Sequence, residues 1–193
     1  MSGREAQRLA INDLCALLWP AGDRLDTSAV YAIVDGAQDP RVGGWVAATG
    51  LEHACLFAGN LSPAIWAISP HLVHLAPDVG LTQRLFEFGW GRNWLTLCIV
   101  DPSVTLQQLH RHCRTLLRVC DESNRRFLFR FYDPRVLRAY LPTCTAEELD
   151  LCFGPIDRFV CESYEGDALF VHTRNAGRLQ RVVVGHRREV QRQ

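Results

Sequence analysis

The chain has 193 residues, of which 48% are hydrophobic and 22% charged, and its formal net charge is +0. These proportions are typical of a globular protein with one sizeable core and exclude a disordered chain. The zero net charge gives no general attraction to nucleic acid or to anionic membranes, although every one of the 21 cationic residues is Arg. We therefore expect neither nucleic-acid binding nor membrane insertion.

Eight cysteines are present, but none forms a Cys-x-x-Cys pair, and most replace small apolar residues within strand or helix patterns. The sequence opens with Met-Ser-Gly-Arg-Glu and has no apolar stretch typical of a signal peptide or a membrane span. These features predict a cytoplasmic protein whose thiols are reduced and packed as small hydrophobic groups.

The predicted elements start with a helix over 4–18 and a polar turn over 21–27. Apolar runs then predict strands at 30–35, 53–57, 71–75, 95–100 and 127–132. Helical spacing of apolar residues predicts helices that begin near Asp39, Ser62, Gly80, Asp101, Asp133 and Thr145. Strands at 157–164, 168–173 and 180–184 follow, the last two joined by a hairpin turn at Asn175-Ala-Gly177, and the tail from 186 is predicted to be frayed.

This alternation of strands and helices predicts an α/β fold with a mixed β-sheet flanked by helices and a short β-rich C-terminal extension. No internal repeat or linker separates two domains. We divide the chain into an N-terminal helix and turn (1–27), an α/β domain (28–157) and a β-hairpin-like extension with its tail (158–193).

Three apolar strands each end on an aspartate, namely Asp35, Asp101 and Asp133. Ligands of open α/β sheets gather beyond the carboxyl ends of strands, so these carboxylates are candidates to hold Mg²⁺ or to face a phosphate. Asp101 and Asp133 each precede proline, however, and Asp133-Pro134 has the pattern of a helix N-cap followed by its first residue. We favour the capping role over the metal site.

No other catalytic pattern is present. The sequence has no glycine-rich phosphate loop and no nucleophile elbow. His110 and His112 are two residues apart on a predicted helix, where their side chains diverge, so a zinc site with Cys113 and Cys120 is disfavoured. We predict a protein that is not an enzyme and that has neither metal nor cofactor.

Large aromatic side chains are the remaining candidates for function. Trp66, Trp90 and Trp94, together with Trp45, form either a protein-recognition surface or part of the core. Arg130 and Arg135 flank the turn at Asp133 and have the same two interpretations, contact with a partner or internal support of the turn.

Several stretches, in order along residues 28–157, resemble the type VI secretion effector adaptor (effector chaperone) family. The most specific is Phe129-Arg-Phe-Tyr-Asp-Pro-Arg135. The others are Tyr31–Ala37, Leu56–Gly59, Ala67–Val73, Trp94–Val100, Leu106–Leu117 and Phe153–Ile156. The resemblance implies a cytosolic, non-catalytic adaptor that binds an effector, in particular its N-terminal region, and helps to load it onto the spike protein.

Two alternatives remain open. One is a Mg²⁺-dependent enzyme that handles phosphoryl groups or nucleotides with Asp35, Asp101 and Asp133. The other is an immunity-like protein that blocks a toxin.

Family members often carry a further lobe that selects the cargo, whereas only about 36 residues follow Asp157 here.

Overall fold

The computed structural model describes residues 3–20, 28–77, 79–120 and 123–185, with side chains of the first helix from residue 11 onward. The helices are α1 (Gly3–Leu18), α2 (Arg41–Ala47), α3 (Pro63–Ala67), α4 (Gly80–Arg84, continued by a π-helical turn at Leu85–Gly89), α5 (Leu106–Leu116), α6 (Pro134–Tyr140) and α7 (Ala146–Phe153). The strands are β1 (Ala29–Asp35), β2 (His53–Cys55), β3 (Pro70–His74), β4 (Leu95–Val100), β5 (Arg118–Cys120), β6 (Arg126–Leu128), β7 (Ile156–Glu162), β8 (Ala168–Asn175) and β9 (Arg178–Gly185). The predicted turn at 21–27 and the tail from 186 lie outside the described residues.

Seven strands form one sheet in the order β2-β3-β1-β4-β7-β8-β9, while β5 and β6 form a separate two-stranded sheet. The predicted α/β class is therefore confirmed. All the described pairings are antiparallel, however, so the expectation of a mixed sheet is wrong. Strand–helix alternation does not determine strand direction, because a connection with a helix can bring the next strand back in either direction.

The sheet carries a hydrophobic core on each face, as the alternation along β1 shows. Val30, Ala32 and Val34 face the core covered by α1, α2 and α4, whereas Tyr31 and Ile33 face the core covered by α5, α6 and α7. A strand that is covered on both faces has apolar residues at consecutive positions. For this reason the sequence predicts β1 and β4 as strands.

The sequence predicts that the aromatic stretch at 127–132 is one buried strand, and this prediction is wrong. Its start belongs to the exposed strand β6, and Phe129 is half-buried. Phe131 and Tyr132 enter the second core in an irregular segment just before α6. An apolar run shows that side chains are buried but does not distinguish a strand from an irregular segment that packs on the sheet.

The C-terminal strands complete the sheet beyond β4. Strand β7 pairs with β4, and β8 and β9 form the predicted hairpin with Asn175 opposite Arg178. Ala176 and Gly177 between them have φ of 49° and 70°, the left-handed conformation that a two-residue hairpin turn requires.

Two adjacent glycines in α2 provide a test of the packing between α2 and α3. A Cβ on Gly43 would lie 2.7 Å from the Ala67 Cα, whereas a Cβ on Gly44 would meet nothing within 4 Å. We expect Gly43→Ala to lower the free energy of unfolding by about 1–3 kcal/mol through overpacking. Gly44→Ala is the matched control and should raise it by about 0.5–1 kcal/mol, because alanine is the better helix former. Urea unfolding of both variants measures the difference, and equal effects would contradict this packing.

Candidate functional site

Asp35 ends β1 and is almost fully buried. Its carboxylate accepts hydrogen bonds from the Ala37 backbone N–H (3.1 Å) and from the Gln38 side-chain amide (2.8 Å). The bond from Ala37 closes a turn at Gly36, where any Cβ would overlap the Ala67 carbonyl oxygen. Arg130 donates to the same carboxylate from a segment 95 residues later. Asp35 therefore holds a tight turn and connects two distant parts of the chain.

Asp133 caps α6 as predicted, with Pro134 as the first helical residue. Its carboxylate accepts hydrogen bonds from the Arg135 backbone N–H (3.0 Å) and from the Arg135 guanidinium (2.9 and 2.7 Å). Arg130 Nη2 lies 4.0 Å from Asp133 Oδ2, the oxygen that also accepts from Arg135 Nη2. Burial alone would raise the pKa of Asp133, but the hydrogen bonds from Arg135 and the two positive charges lower it below its ordinary value.

Arg130 thus lies between two buried carboxylates, Asp35 and Asp133. Its guanidinium also lies over the ring of Tyr132, 5.8 Å from the centroid. Burial, together with the charge of Asp35, raises the pKa of Tyr132 to about 12. We call Asp35, Arg130, Asp133 and Arg135 the turn cluster. Its contacts support the internal role for both arginines, although the side chains of Arg130 and Arg135 remain 39% and 56% exposed.

Asp101 does not join this cluster. Strands β1 and β4 run antiparallel with Val34 opposite Leu95 and Ala29 opposite Val100, so Asp101 lies at the opposite end of the sheet from Asp35. Its carboxylate accepts hydrogen bonds from the Ser103 backbone and hydroxyl groups (2.8 and 2.6 Å). The convergence of three aspartates on one ligand is therefore wrong. Within the described ranges, no group of three His, Cys, Asp or Glu side chains is arranged to hold a metal ion.

The cap of α5 also differs from its prediction. Thr105, not Asp101, caps this helix, in a reciprocal pair of hydrogen bonds with Gln108. Asp101 instead forms a turn and lies four residues before the cap. The sequence places Asp, Ser and Thr within five residues, all of which are good N-caps, so its pattern does not decide between them.

The predicted tryptophan surface is wrong for two of its members. Trp90 and Trp94 are 0% and 5% exposed and lie in the first core. Trp66 is half-buried on α3, with its ring 4.4 Å from that of His71. Trp45 is also half-buried, with the guanidinium of Arg41 5.1 Å from its ring centre. Large aromatics fill this core, which was the other interpretation of the same residues.

Arg138 and Glu162 form a buried polar contact that sequence patterns did not indicate. Arg138 is 4% exposed and donates to the Glu162 backbone carbonyl (2.6 Å), while the Glu162 carboxylate accepts from the Asn93 backbone N–H (2.8 Å). Burial raises the pKa of Glu162 to about 6 despite these hydrogen bonds. The contact holds the loop before β4 against α6 and β7.

A groove with a volume of about 780 Å³ runs along the outer face of α5. Its walls are the loop at 56–61, the α5 side chains that point away from the sheet, and Leu128 of β6. We call it the α5 groove. Its apolar lining includes Phe57, Leu61 and Leu128, and its polar lining includes Arg111, Arg114 and Arg118.

The position of α5 explains how the groove forms. Leu109 and Cys113 pack into the second core, which turns Arg111 and Arg114 outward. The His110 Nε2–H donates to the Cys55 carbonyl oxygen (2.9 Å) and fixes α5 beside the sheet edge at β2. The helix therefore presents a row of guanidinium groups next to an apolar loop.

Strands β5 and β6 close one end of the groove. Arg118 pairs with Leu128 on one side of this hairpin, and Val119 pairs with Phe127 on the other. Val119, Phe127 and Leu128 are 40%, 49% and 51% exposed. Leu128 therefore adds an exposed apolar side chain to the groove, while Val119 and Phe127 lie on the opposite face of the hairpin.

Comparison with protein families identifies the domain. The model of a domain of unknown function, DUF4123, matches residues 30–151. The chain belongs to the DUF4123 family. This family is associated with type VI secretion effectors. Neither the curated proteins nor the solved structures gave a significant match to the chain.

The DUF4123 match contains both the turn cluster and the lining of the α5 groove. In the part of the DUF4123 chain that the structure describes, no helix has both the length and the apolar content that crossing a bilayer requires. Strands β7, β8 and β9 follow the matched region yet pair into the same sheet.

The arginines of the groove follow a helical pattern in the sequence. Arg111, Arg114 and Arg118 fall on the outer face of the predicted α5 helix, which alone is typical of a solvated surface. Their proximity to Phe57 and Leu61 follows from the sheet order and the contact between His110 and Cys55, and neither is visible in a local pattern.

Proposed function

We propose that this DUF4123 protein is a cytoplasmic adaptor that binds a type VI secretion effector and assists its loading onto the spike protein. The observation that carries the proposal is the family match over residues 30–151, because the family is associated with type VI effectors. The effector, in particular its N-terminal region, and the spike protein are the two partners.

The surface of the domain supports a protein partner. The α5 groove combines apolar side chains with arginines, and arginine and large apolar residues are enriched where proteins meet. Leu128 of the hairpin lines the groove and is exposed, so it would lose solvent contact in a complex. The arrangement of the aspartates does not support the enzyme alternative, since Asp101 lies at the opposite end of the sheet from Asp35.

Affinity capture from the native host tests the adaptor function. The tagged chain replaces the natural copy, and its bound proteins are identified by mass spectrometry beside an unrelated tagged protein of similar size. We expect recovery of the spike protein or of a protein whose release into the medium requires the type VI apparatus. Recovery of neither, at expression levels where the tagged chain itself is abundant, would overturn the proposal.

A further inference from the structure

We propose that the α5 groove receives an acidic amphipathic helix of the partner protein, an inference that rests on the proposed adaptor function. Carboxylates of that helix pair with Arg111, Arg114 and Arg118. Its apolar side chains pack against the loop at 56–61 and against Leu128. The argument comes from the charge, the spacing and the apolar lining of the groove.

Among the residues that the structure describes, the charged side chains that line the groove are all arginines. In the described part of the chain, no carboxylate pairs with Arg111, Arg114 or Arg118, and no Asp or Glu lines the groove. By contrast, Arg130, Arg135 and Arg174 each pair with an aspartate. Because the whole chain has a net charge of +0, this positive lining is a local feature and does not follow from a basic chain. Guanidinium groups bind carboxylates through paired hydrogen bonds, so the complementary ligand is acidic.

The spacing of the arginines favours a helical ligand. Arg111 and Arg114 lie three residues apart on α5, where the wall from Gln107 to Leu116 is about 14 Å long at the helical rise, and Arg118 follows at the start of β5. A helix lying along α5 presents side chains three and four residues apart on one face, so that two of them can meet Arg111 and Arg114. An extended segment alternates its side chains every two residues and matches this spacing less well.

The apolar lining favours a protein over a nucleic acid. Phe57, Leu61 and Leu128 lie in the same groove as the arginines, and Leu128 is 51% exposed. Nucleic-acid interfaces are more polar and more positive throughout. An amphipathic helix places acidic and apolar side chains on adjacent stripes, which is the arrangement that the groove complements.

Peptide binding tests the chemistry of the ligand. The probe is a fluorescent, helix-stapled peptide of about 15 residues with Glu at positions i, i+3 and i+7 and Leu at i+4 and i+8. A second peptide has Gln in place of each Glu. By fluorescence anisotropy, we expect the full chain to bind the acidic peptide at least about tenfold more tightly, and the gain to shrink at high salt. Equal affinity for the two peptides would overturn the inference.

Two variants with the same change in net charge test whether the acidic peptide binds in the α5 groove. Arg111→Glu/Arg114→Glu changes the groove, and Arg92→Glu/Arg178→Glu changes exposed arginines elsewhere with the same effect on net charge. After circular dichroism shows that both fold, we expect only the groove variant to lose at least about tenfold in affinity for the acidic peptide. Equal loss in both variants, or tighter binding of a single-stranded DNA probe than of the peptide, would overturn the inference.

Capture from the host separates this inference from the adaptor function. We expect the groove variant to recover the effector or the spike protein at least about tenfold less than the control variant does. If both variants recover the partner as well as the unmodified chain does, the adaptor function stands and the groove is not its site. If the unmodified chain recovers neither protein, the adaptor function itself fails.

Discussion

Arg130→Ala is expected to lower the free energy of unfolding by about 3 kcal/mol, because it leaves two buried carboxylates without the cation between them. Asp35 and Asp133 are 2% and 3% exposed, and Arg130 contacts both. Removing one partner of a buried ion pair typically costs about 3–5 kcal/mol. Water reaches the exposed part of the Arg130 side chain, which places the loss at the lower end of that range.

Arg135→Ala is the control for this prediction. Arg135 pairs with Asp133 alone among the described carboxylates, and more than half of its side chain is exposed, so its loss should cost about 1 kcal/mol. Urea unfolding at neutral pH compares the two variants. If Arg130→Ala is no more destabilising than Arg135→Ala, Arg130 does not support the turn cluster as the structure implies.

Acidification from pH 7 to pH 5 is expected to lower the free energy of unfolding by about 3 kcal/mol, before most carboxylates titrate. His71 and His172 are both 0% exposed. Burial lowers the pKa of each to about 4, and for His172 the charges of Arg181 and Arg138 contribute. The unfolded chain protonates these histidines below about pH 6.5, whereas the folded chain keeps them neutral. The unfolded state thus binds more protons, and stability falls by about 2 kcal/mol for each histidine.

Glu162 has the opposite effect in the same range of pH. Because its pKa in the folded chain is raised to about 6, the folded state takes up a proton before the unfolded state does. Protonation of Glu162 therefore raises the free energy of unfolding by about 1 kcal/mol between pH 7 and pH 5. This gain offsets part of the decrease that the histidines cause.

A variant isolates one of the two histidines. His172→Phe keeps a ring of similar shape and removes the titrating group, whose Nδ1 has no hydrogen-bond partner in the described structure. We expect the difference in unfolding free energy between pH 7 and pH 5 to shrink by about 2 kcal/mol. Urea titrations at the two pH values measure it. A difference equal to that of the unmodified chain would contradict the burial of a neutral histidine at this position.

The local structure was predictable wherever a few adjacent residues decide it. The Asp133-Pro134 cap is one example, and the capping box at Thr145 and Glu148 is another, in which each residue accepts a hydrogen bond from the backbone of the other. The strands β1 and β4 were also evident, because both of their faces are buried. The direction of the strands was not, since a helical connection returns the chain in either orientation.

The candidate site depends on contacts between distant residues, and these were not predictable. Arg130 meets Asp35 across 95 residues, and the α5 groove joins the loop at 56–61 to α5 and β6. The tryptophans are another example. The sequence allowed Trp90 either a recognition surface or the core, and Trp90 follows the π-helical turn at Leu85–Gly89 and lies in the first core.

Secretion of the effector is the measurement that tests the adaptor function most directly. The gene for this chain is deleted in the native host, and the captured effector and another substrate of the type VI apparatus are quantified in the culture medium. The account predicts that the effector falls to background and that the other substrate is still released, with recovery when the unmodified chain is restored. Undiminished release of the effector without this chain would contradict the account.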